Sequence, residues 1–341
     1  MNIVVYLRMV IVCLVTVSVA GLAAADELDE VVLKDGSLVK GVVTGARNGV
    51  VTIDTGFAGS IEIQIDKIEE LNSAAPTTLL LSDESVLQDQ PLTIENSQLV
   101  TSTGEEHDLS ELRIANPAPW ELGQGYKWSG LINFALEVER GNSETDELDY
   151  KLDTEWLSNR DRWGFLLQGE TDEADSVKTA ENWQTAVKYD YFLSDDTYMG
   201  VLTRAEEDRF ADIDLRYMIG PHIGHTFFTD PIFTLHAETG AAYTHEEFVL
   251  GGEEEYAALT WAWGITSNYL GGDSALYVDQ HGFWNLDETD DVTFDTIFGL
   301  AFPLLWGLEA AAEIILEYDA EVADGVEELD ETYKLRVGYG W

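Results

Sequence analysis

The chain has 341 residues, 45 % of them apolar, so it can build a sizeable core and disorder is not expected. Against 18 Lys and Arg stand 65 Asp and Glu, a formal net charge of −47. That balance argues against nucleic acid as a partner and for a surface that gathers cations and stays soluble by self-repulsion, suited to a salty or divalent-rich medium.

Residues 1–25 join Arg8, an apolar stretch from Met9 to Ala20, and Ala23-Ala24-Ala25 before Asp26. This is the pattern of a secretory signal peptide, with cleavage expected after Ala25. An uncleaved anchor helix is the competing reading, disfavoured because no basic stop-transfer cluster follows. The single cysteine, Cys13, lies inside this segment, and Val12 before it does not suit a lipid-attachment site. The mature chain is therefore expected to lack disulfides and thiol chemistry. No later segment reaches about 18 consecutive apolar residues, which excludes a helical span there but not a β-barrel, whose strands need only about ten alternating residues.

From Asp26 to Asn116, β-branched runs at Val31–Leu33, Leu38–Thr44, Val50–Ile53 and Ile61–Ile65 are split by turn residues and read as small strands. Asp35-Gly36-Ser37-Leu38 is echoed by Asp83-Glu84-Ser85-Val86. Asn48-Gly49 with Thr55-Gly56 is echoed by Asn96-Ser97 with Thr103-Gly104, and Ile68–Leu71 more loosely by Leu109–Leu112. The segment 26–116 is thus expected to be a small β-domain of two copies of one unit, with chance similarity of turn-rich strands as the alternative. Pro117 to Gly125, opened by Asn116-Pro117-Ala118-Pro119, reads as an extended linker.

From Tyr126 to Trp341 the texture changes to stretches in which apolar and polar residues alternate. Twelve are expected as strands, at about 127–139, 146–158, 161–171, 181–193, 197–206, 213–227, 231–244, 256–270, 274–286, 292–302, 306–318 and 331–341. In the last, Tyr333, Leu335, Val337, Tyr339 and Trp341 share one face while Lys334 and Arg336 take the other. Connections alternate between short turns, such as Ser158–Asp161 and Ser194–Asp196, and longer acidic loops, such as Glu246–Glu255 and Asp319–Asp330. An even strand number with short turns on one side and long loops on the other predicts an all-β, transmembrane antiparallel β-barrel over 126–341, its short turns in the periplasm. A soluble sandwich or lipocalin-like barrel uses the same alternation. Aromatics near strand ends (Trp128, Trp156, Trp163, Trp183, Tyr191, Trp284, Tyr318, Trp341) and mixed charges on the polar faces favour the membrane barrel.

The ending Tyr339-Gly340-Trp341 resembles the terminal signal by which outer-membrane barrels are recognised for insertion, which implies the barrel-assembly machinery as a partner. It departs from that pattern in having Arg336, not Gly, five positions before the final aromatic. Tyr126-Lys127-Trp128-Ser129-Gly130, the strand after it, and Arg140-Gly141-Asn142-Ser143 resemble the opening of the salt-induced outer-membrane protein family, a family of unknown function. The preceding Asp35-Gly36 unit is similar to small domains that often precede such barrels. The resemblance covers 126–341. It implies a cell outer-membrane location with the small domain in the periplasm, and a link to salt or osmotic conditions, and it supplies no catalytic residues.

Few residues invite chemistry. His222 and His225, with His236 near them, could ligate zinc or copper, but residues three apart on a strand face opposite sides, so joint chelation is not expected. The acidic loops could hold divalent cations such as calcium, although none has the spacing of a dedicated loop. Glu309, Glu313 and Glu317 share one strand face. Either they form a cation-favouring stripe in the lumen, or they pair with Lys334 and Arg336 on the neighbouring strand and stabilise closure. Neither G-x-S-x-G nor H-E-x-x-H occurs, so neither an enzyme nor a cofactor is expected. Three functions follow: a structural barrel or narrow cation-preferring channel in outer-membrane lipid; a non-conducting barrel displaying a periplasmic or surface binding module; and a soluble secreted β-protein that binds a ligand.

Overall fold

The computed structural model describes residues 28–47, 49–139, 145–174, 177–230, 232–272, 274–320 and 328–341. The expected export segment with Cys13 and Ala25, and the Arg140–Ser143 motif, lie outside the described residues. The chain divides into two compact units between Ala118 and Pro119.

The first unit holds β1 (Asp29–Leu33), β2 (Leu38–Arg47), β3 (Val50–Thr55), β4 (Gly59–Gln64), β5 (Ile68–Leu81), β6 (Val86–Glu95), β7 (Gln98–Val100), β8 (Glu106–Asp108) and β9 (Leu112–Ala115). Its pairing repeats itself. Val31 on β1 pairs with Val39 on β2 and Leu71 on β5; forty-eight positions on, Leu79 on β5 pairs with Leu87 on β6 and Ala115 on β9. The last strand of each half then crosses to the other half, with Leu71 pairing with Ile94 on β6 and Ala115 pairing with Ala46 on β2. The long strand β5 serves both halves, and Val31, Ile53, Ile68, Leu71, Leu79, Leu92, Ile94 and Leu99 fill one shared core. Each such side chain contributes about 1.5–3 kcal/mol by leaving water.

Local chemistry explains the turns of this unit. Asp35 Oδ1 accepts from the Ser37 N–H, and Asp83 Oδ1 from the Ser85 N–H, each at 2.9 Å. The residue between has positive φ, 85° at Gly36 and 68° at Glu84, so the second copy holds a strained non-glycine where the first has the residue suited to it.

The second unit opens with a single 3-10 turn, Pro119–Leu122, where an extended linker was expected. The Trp120 carbonyl accepts from the Asn159 N–H (3.2 Å), so this stretch packs with the unit that follows instead of spanning open space. Twelve strands follow: β10 (Lys127–Glu139), β11 (Thr145–Leu157), β12 (Asp161–Ala174), β13 (Val177–Phe192), β14 (Thr197–Asp208), β15 (Ile213–Asp230), β16 (Phe233–Phe248), β17 (Glu253–Ser267), β18 (Ala275–Asn285), β19 (Val292–Pro303), β20 (Leu308–Asp319) and β21 (Leu329–Gly340). Each pairs antiparallel with its neighbours, and β10 pairs with β21 to close the barrel. All twelve expected strands are present. Several run further than expected into the acidic ends: β16 reaches Phe248, and β17 starts at Glu253. Glu246 there pairs directly with Glu254, an unfavourable cross-strand match, but an Arg216 guanidinium nitrogen lies 2.6 Å from Glu246 Oε1 and offsets it.

Alternation sorts the wall. Phe134, Leu148, Val201, Ile219, Ile223, Leu259, Phe298, Ile314 and Val337 stand exposed on the outside. Near the short-turn end Trp128 stacks on Trp156 and meets the edge of Trp341, and Trp163 packs on Tyr189. A continuous apolar band of this kind is not stable against water, and an aromatic girdle at its rim is the mark of a membrane interface. The outside/inside sense is that of a transmembrane barrel, opposite to a lipocalin. Among the described residues no helix is long and apolar enough to cross a membrane.

Candidate functional site

The inward face is polar and charged, and its side chains meet in three groups. The first centres on Asp190 of β13, which is fully buried. One carboxylate oxygen accepts from Arg162 Nη2 on β12 at 2.6 Å, and the other lies 2.6 Å from His222 Nε2 on β15. Lys188 of β13 reaches Glu238 on β16, where the Tyr198 hydroxyl of β14 also donates, at 3.0 Å. The Arg162 guanidinium lies 4.9 Å from the centre of the Tyr198 ring, close enough for a cation–π contact. Gly224 makes room for that ring: a Cβ there would lie 2.2 Å from it.

The second group surrounds Arg216 on β15, held between Glu206 of β14 (2.9 Å) and Glu246 of β16 (2.6 Å). The Tyr256 hydroxyl donates to the second Glu246 oxygen at 3.1 Å. The third group lies near the seam. Arg336 Nε donates to Glu313 Oε2 (2.7 Å), and the Tyr277 hydroxyl to Glu313 Oε1 (2.6 Å). Lys334 reaches past β10 to Asp149 of β11 (3.1 Å) and Glu170 of β12.

The three residues of the glutamate stripe differ in their contacts. Glu313 pairs with Arg336, the cross-strand match. Lys334 is the Cα partner of Glu313, yet its ammonium turns to Asp149 and Glu170. Among the described residues, Glu309 and Glu317 have no cationic group within 4 Å, and neither have Asp153 and Asp279, which point inward beside Lys151 and His236. Arg162, Lys188, Arg204, Arg216, Lys334 and Arg336 are each within 4 Å of an acid.

His222 and His225 do fall on opposite faces. His222 is inside on Asp190, while His225 is outside, 2.8 Å from Thr197 Oγ1 and against the Phe227 ring. Among the described residues no three His, Cys, Asp or Glu side chains converge to hold a metal. The Asp190, Glu246 and Tyr277 centres went unnoticed in the sequence. Their signal was present as inward-facing acids opposite inward-facing bases, but which of several bases each acid meets depends on the stagger between strands. Tyr339 faces outward near the closing pairs, and the Trp341 and Gly130 backbones exchange two hydrogen bonds. A cavity of about 280 Å3 lies within the lumen, bordered by Lys188, Arg204, His222, Glu238 and His281.

A closed antiparallel barrel with an apolar outside, an aromatic rim and a charged interior is a transmembrane β-barrel of the outer-membrane kind. Residues 132–341 match the model of a family described as a protein of unknown function, DUF481, and the chain belongs to that family. No curated protein matches the sequence. Among solved structures, the chain is similar to the NanC porin (12 % identity, 62 % of this chain and 98 % of that one, TM-score 0.40). It is also similar to the translocator domain of the autotransporter NalP from Neisseria meningitidis (11 %, 64 % and 88 %, TM-score 0.38). A third similar structure is the KdgM porin in complex with disordered oligogalacturonate (11 %, 62 % and 98 %, TM-score 0.35).

Proposed function

We propose that this protein is a narrow, cation-preferring conduit of the outer membrane. The observation that carries the reading is the imbalance of the lumen: Asp153, Asp279, Glu309 and Glu317 face inward without an ion-pair partner, while most inward bases are already neutralised. Unpaired acids in a confined passage attract cations and repel anions. The acidic ends of the long connections, such as Glu253–Glu255 and Asp287–Asp291, would raise cation concentration at the mouth and retain divalent cations there. The first unit would lie in the periplasm, and the last strand with Tyr339 and Trp341 would engage the assembly machinery. The link to salt or osmotic conditions belongs to the same proposal, since a conduit screened by salt changes its selectivity with ionic strength.

Planar-bilayer recording under a KCl gradient tests this. A reversal potential of cation sign that shrinks in Glu309→Gln/Glu317→Gln supports the conduit, and an anion-selective or silent protein overturns it. A silent protein supports the second reading, a closed barrel that displays a binding module. What favours that reading is the set of ion pairs spanning several strands, Lys188 to Glu238 and Lys334 to Glu170. The exposed apolar wall counts against the soluble ligand binder.

A further inference from the structure

The barrel does not close evenly. Each neighbouring pair from β10 to β21 is joined over most of its length; β10 pairs with β11 from Lys127 to Glu139, and β20 with β21 from Leu308/Tyr339 to Tyr318/Leu329. The closing pair β10–β21 is joined over Leu131–Phe134 and Val337–Gly340, with one further exchange between Gly130 and Trp341. Beyond that, among the described residues, the five residues Thr332–Arg336 of β21 and Ala135–Glu139 of β10, which face one another in this register, are not paired across the seam. At about 3.3 Å per residue this is roughly 16 Å of open edge.

In hydrocarbon every unpaired backbone N–H or C=O costs several kcal/mol, which is why spanning barrels close. An open edge of this length is tenable where lumen water reaches it. The flanking side chains fit such a slot. Inside, Lys334 bridges behind the unpaired edge to Asp149 and Glu170. Outside, Tyr333 and Leu335 are 72 % and 79 % exposed, and an apolar groove of about 690 Å3 runs beside them, lined by Leu276, Phe298, Ala312 and Ile314.

We propose that the seam above Phe134 and Val337 is a lateral portal joining the lumen to the bilayer, and that it admits an acyl-chain amphiphile. The chain would lie in the Phe298–Leu335 groove, and the polar head would enter the slot toward Lys334. The Lys334 bridge acts as the latch: its ammonium holds β21 to β11 and β12 where backbone bonds do not. The proposal rests on the transmembrane barrel and is independent of ion passage, so silent bilayers leave it standing.

The test uses the full chain with Cys13→Ser, in liposomes, carrying a single lumen-facing cysteine. One variant is Ile315→Cys on β20, whose Cα partner is Thr332 in the unpaired stretch. The other is Ala262→Cys on β17, three strands further from the seam. Each is treated with N-dodecylmaleimide dissolved in the bilayer and, separately, with a charged water-soluble maleimide. The ratio of the two rates is expected to be at least tenfold higher for Ile315→Cys than for Ala262→Cys. Adding Lys334→Gln is expected to raise the Ile315→Cys rate at least threefold. Equal ratios, or no alkylation by the acyl reagent at either position, overturn the portal. Protection of Ile315→Cys that disappears when the protein is diluted to monomer also overturns it, in favour of a second copy covering the edge. Folding of each variant is checked by the boiled and unboiled gel mobility. Ala311→Cys, whose partner is Arg336, replaces Ile315→Cys if that variant fails to form the barrel.

Discussion

Lys334 Nζ lies 3.1 Å from Asp149 Oδ1, although β10 runs between the strands that carry them and 185 positions separate them in the chain. The contact ties the last strand of the barrel to its second across the weakest backbone seam. Lys334→Ala leaves Asp149 and Glu170 facing each other without their shared cation. Loss of one partner of a buried ion pair costs about 3–5 kcal/mol, and in a wet lumen about 2–3 kcal/mol is expected. The temperature at which the unboiled gel form disappears should fall clearly in Lys334→Ala and stay near the original in Lys334→Arg.

Asp190 makes a stricter demand. It is fully buried and bonded by both Arg162 and His222. Arg162→Met removes the charge that compensates it most closely and is expected to destabilise the barrel by about 3–5 kcal/mol. Arg162→Met combined with Asp190→Asn is expected to recover most of that loss, because the buried charge disappears with its partner. Urea unfolding in lipid vesicles, followed by tryptophan fluorescence, measures both.

Gly299 and Tyr277 fit as seat and ring. A Cβ on Gly299 would lie 2.0 Å from the Tyr277 ring, so Gly299→Ala must rotate the tyrosine away from Glu313. Overpacking of this kind costs about 1–3 kcal/mol. Tyr277→Ala in the Gly299→Ala background should add less than Tyr277→Ala alone, and a double-mutant cycle on vesicle unfolding reads the difference.

In the first unit, Asp35, Asp83 and Asp108 are held below the ordinary carboxylate range. The Ser37 N–H acts chiefly on Asp35, the Ser85 hydroxyl on Asp83, and the Ser110 hydroxyl on Asp108. Depressed carboxylate values stabilise the folded turns above the unfolded-state value of 3.8, and that support fades as pH falls through the still lower folded values. Hydrogen exchange of the peptides around Gly36 and Glu84 should therefore quicken as the pH drops from about 5 to below 3, after correction for intrinsic rates. Asp35→Ala should flatten this dependence around Gly36 and leave it intact around Glu84.

Leu71 and Leu79 are both buried in the shared core on β5, the strand that serves both halves: Leu71 pairs with Ile94 of the second half, and Leu79 with Leu87 and with Ala115, which itself crosses to Ala46. Leu→Ala at either costs about 2–5 kcal/mol. Because each strand end is paired into the other half, either substitution is expected to loosen both halves together, which hydrogen exchange of β2 and β6 reports. Loosening confined to one half would show that the halves fold independently.

Alternation of period two made all twelve barrel strands legible, because side chains that face lipid and lumen must differ in polarity at every step. Leu308, Ala310, Ala312, Ile314 and Leu316 against Glu309, Glu313 and Glu317 needed no coordinates to be divided correctly. The echo of Asp35-Gly36-Ser37 at Asp83-Glu84-Ser85 was legible for the same local reason: a turn needs a side-chain acceptor and a residue that tolerates positive φ. The acidic strand ends at Phe248 and Glu253 were not, since pairing carries the ladder past the point where alternation stops.

By itself, then, the sequence determined the class of fold, the twelve strands, the two alternating faces of each strand and the acidic character of the chain, all consequences of local periodicity and composition. The tertiary structure decided which charges meet. Glu313 takes Arg336 while Lys334 crosses to Asp149 and Glu170; His222 finds Asp190; and β10 and β21 part above Phe134. The stagger between strands and the closing register govern those outcomes, and both are set by the balance of contacts around the whole barrel, which no single strand encodes.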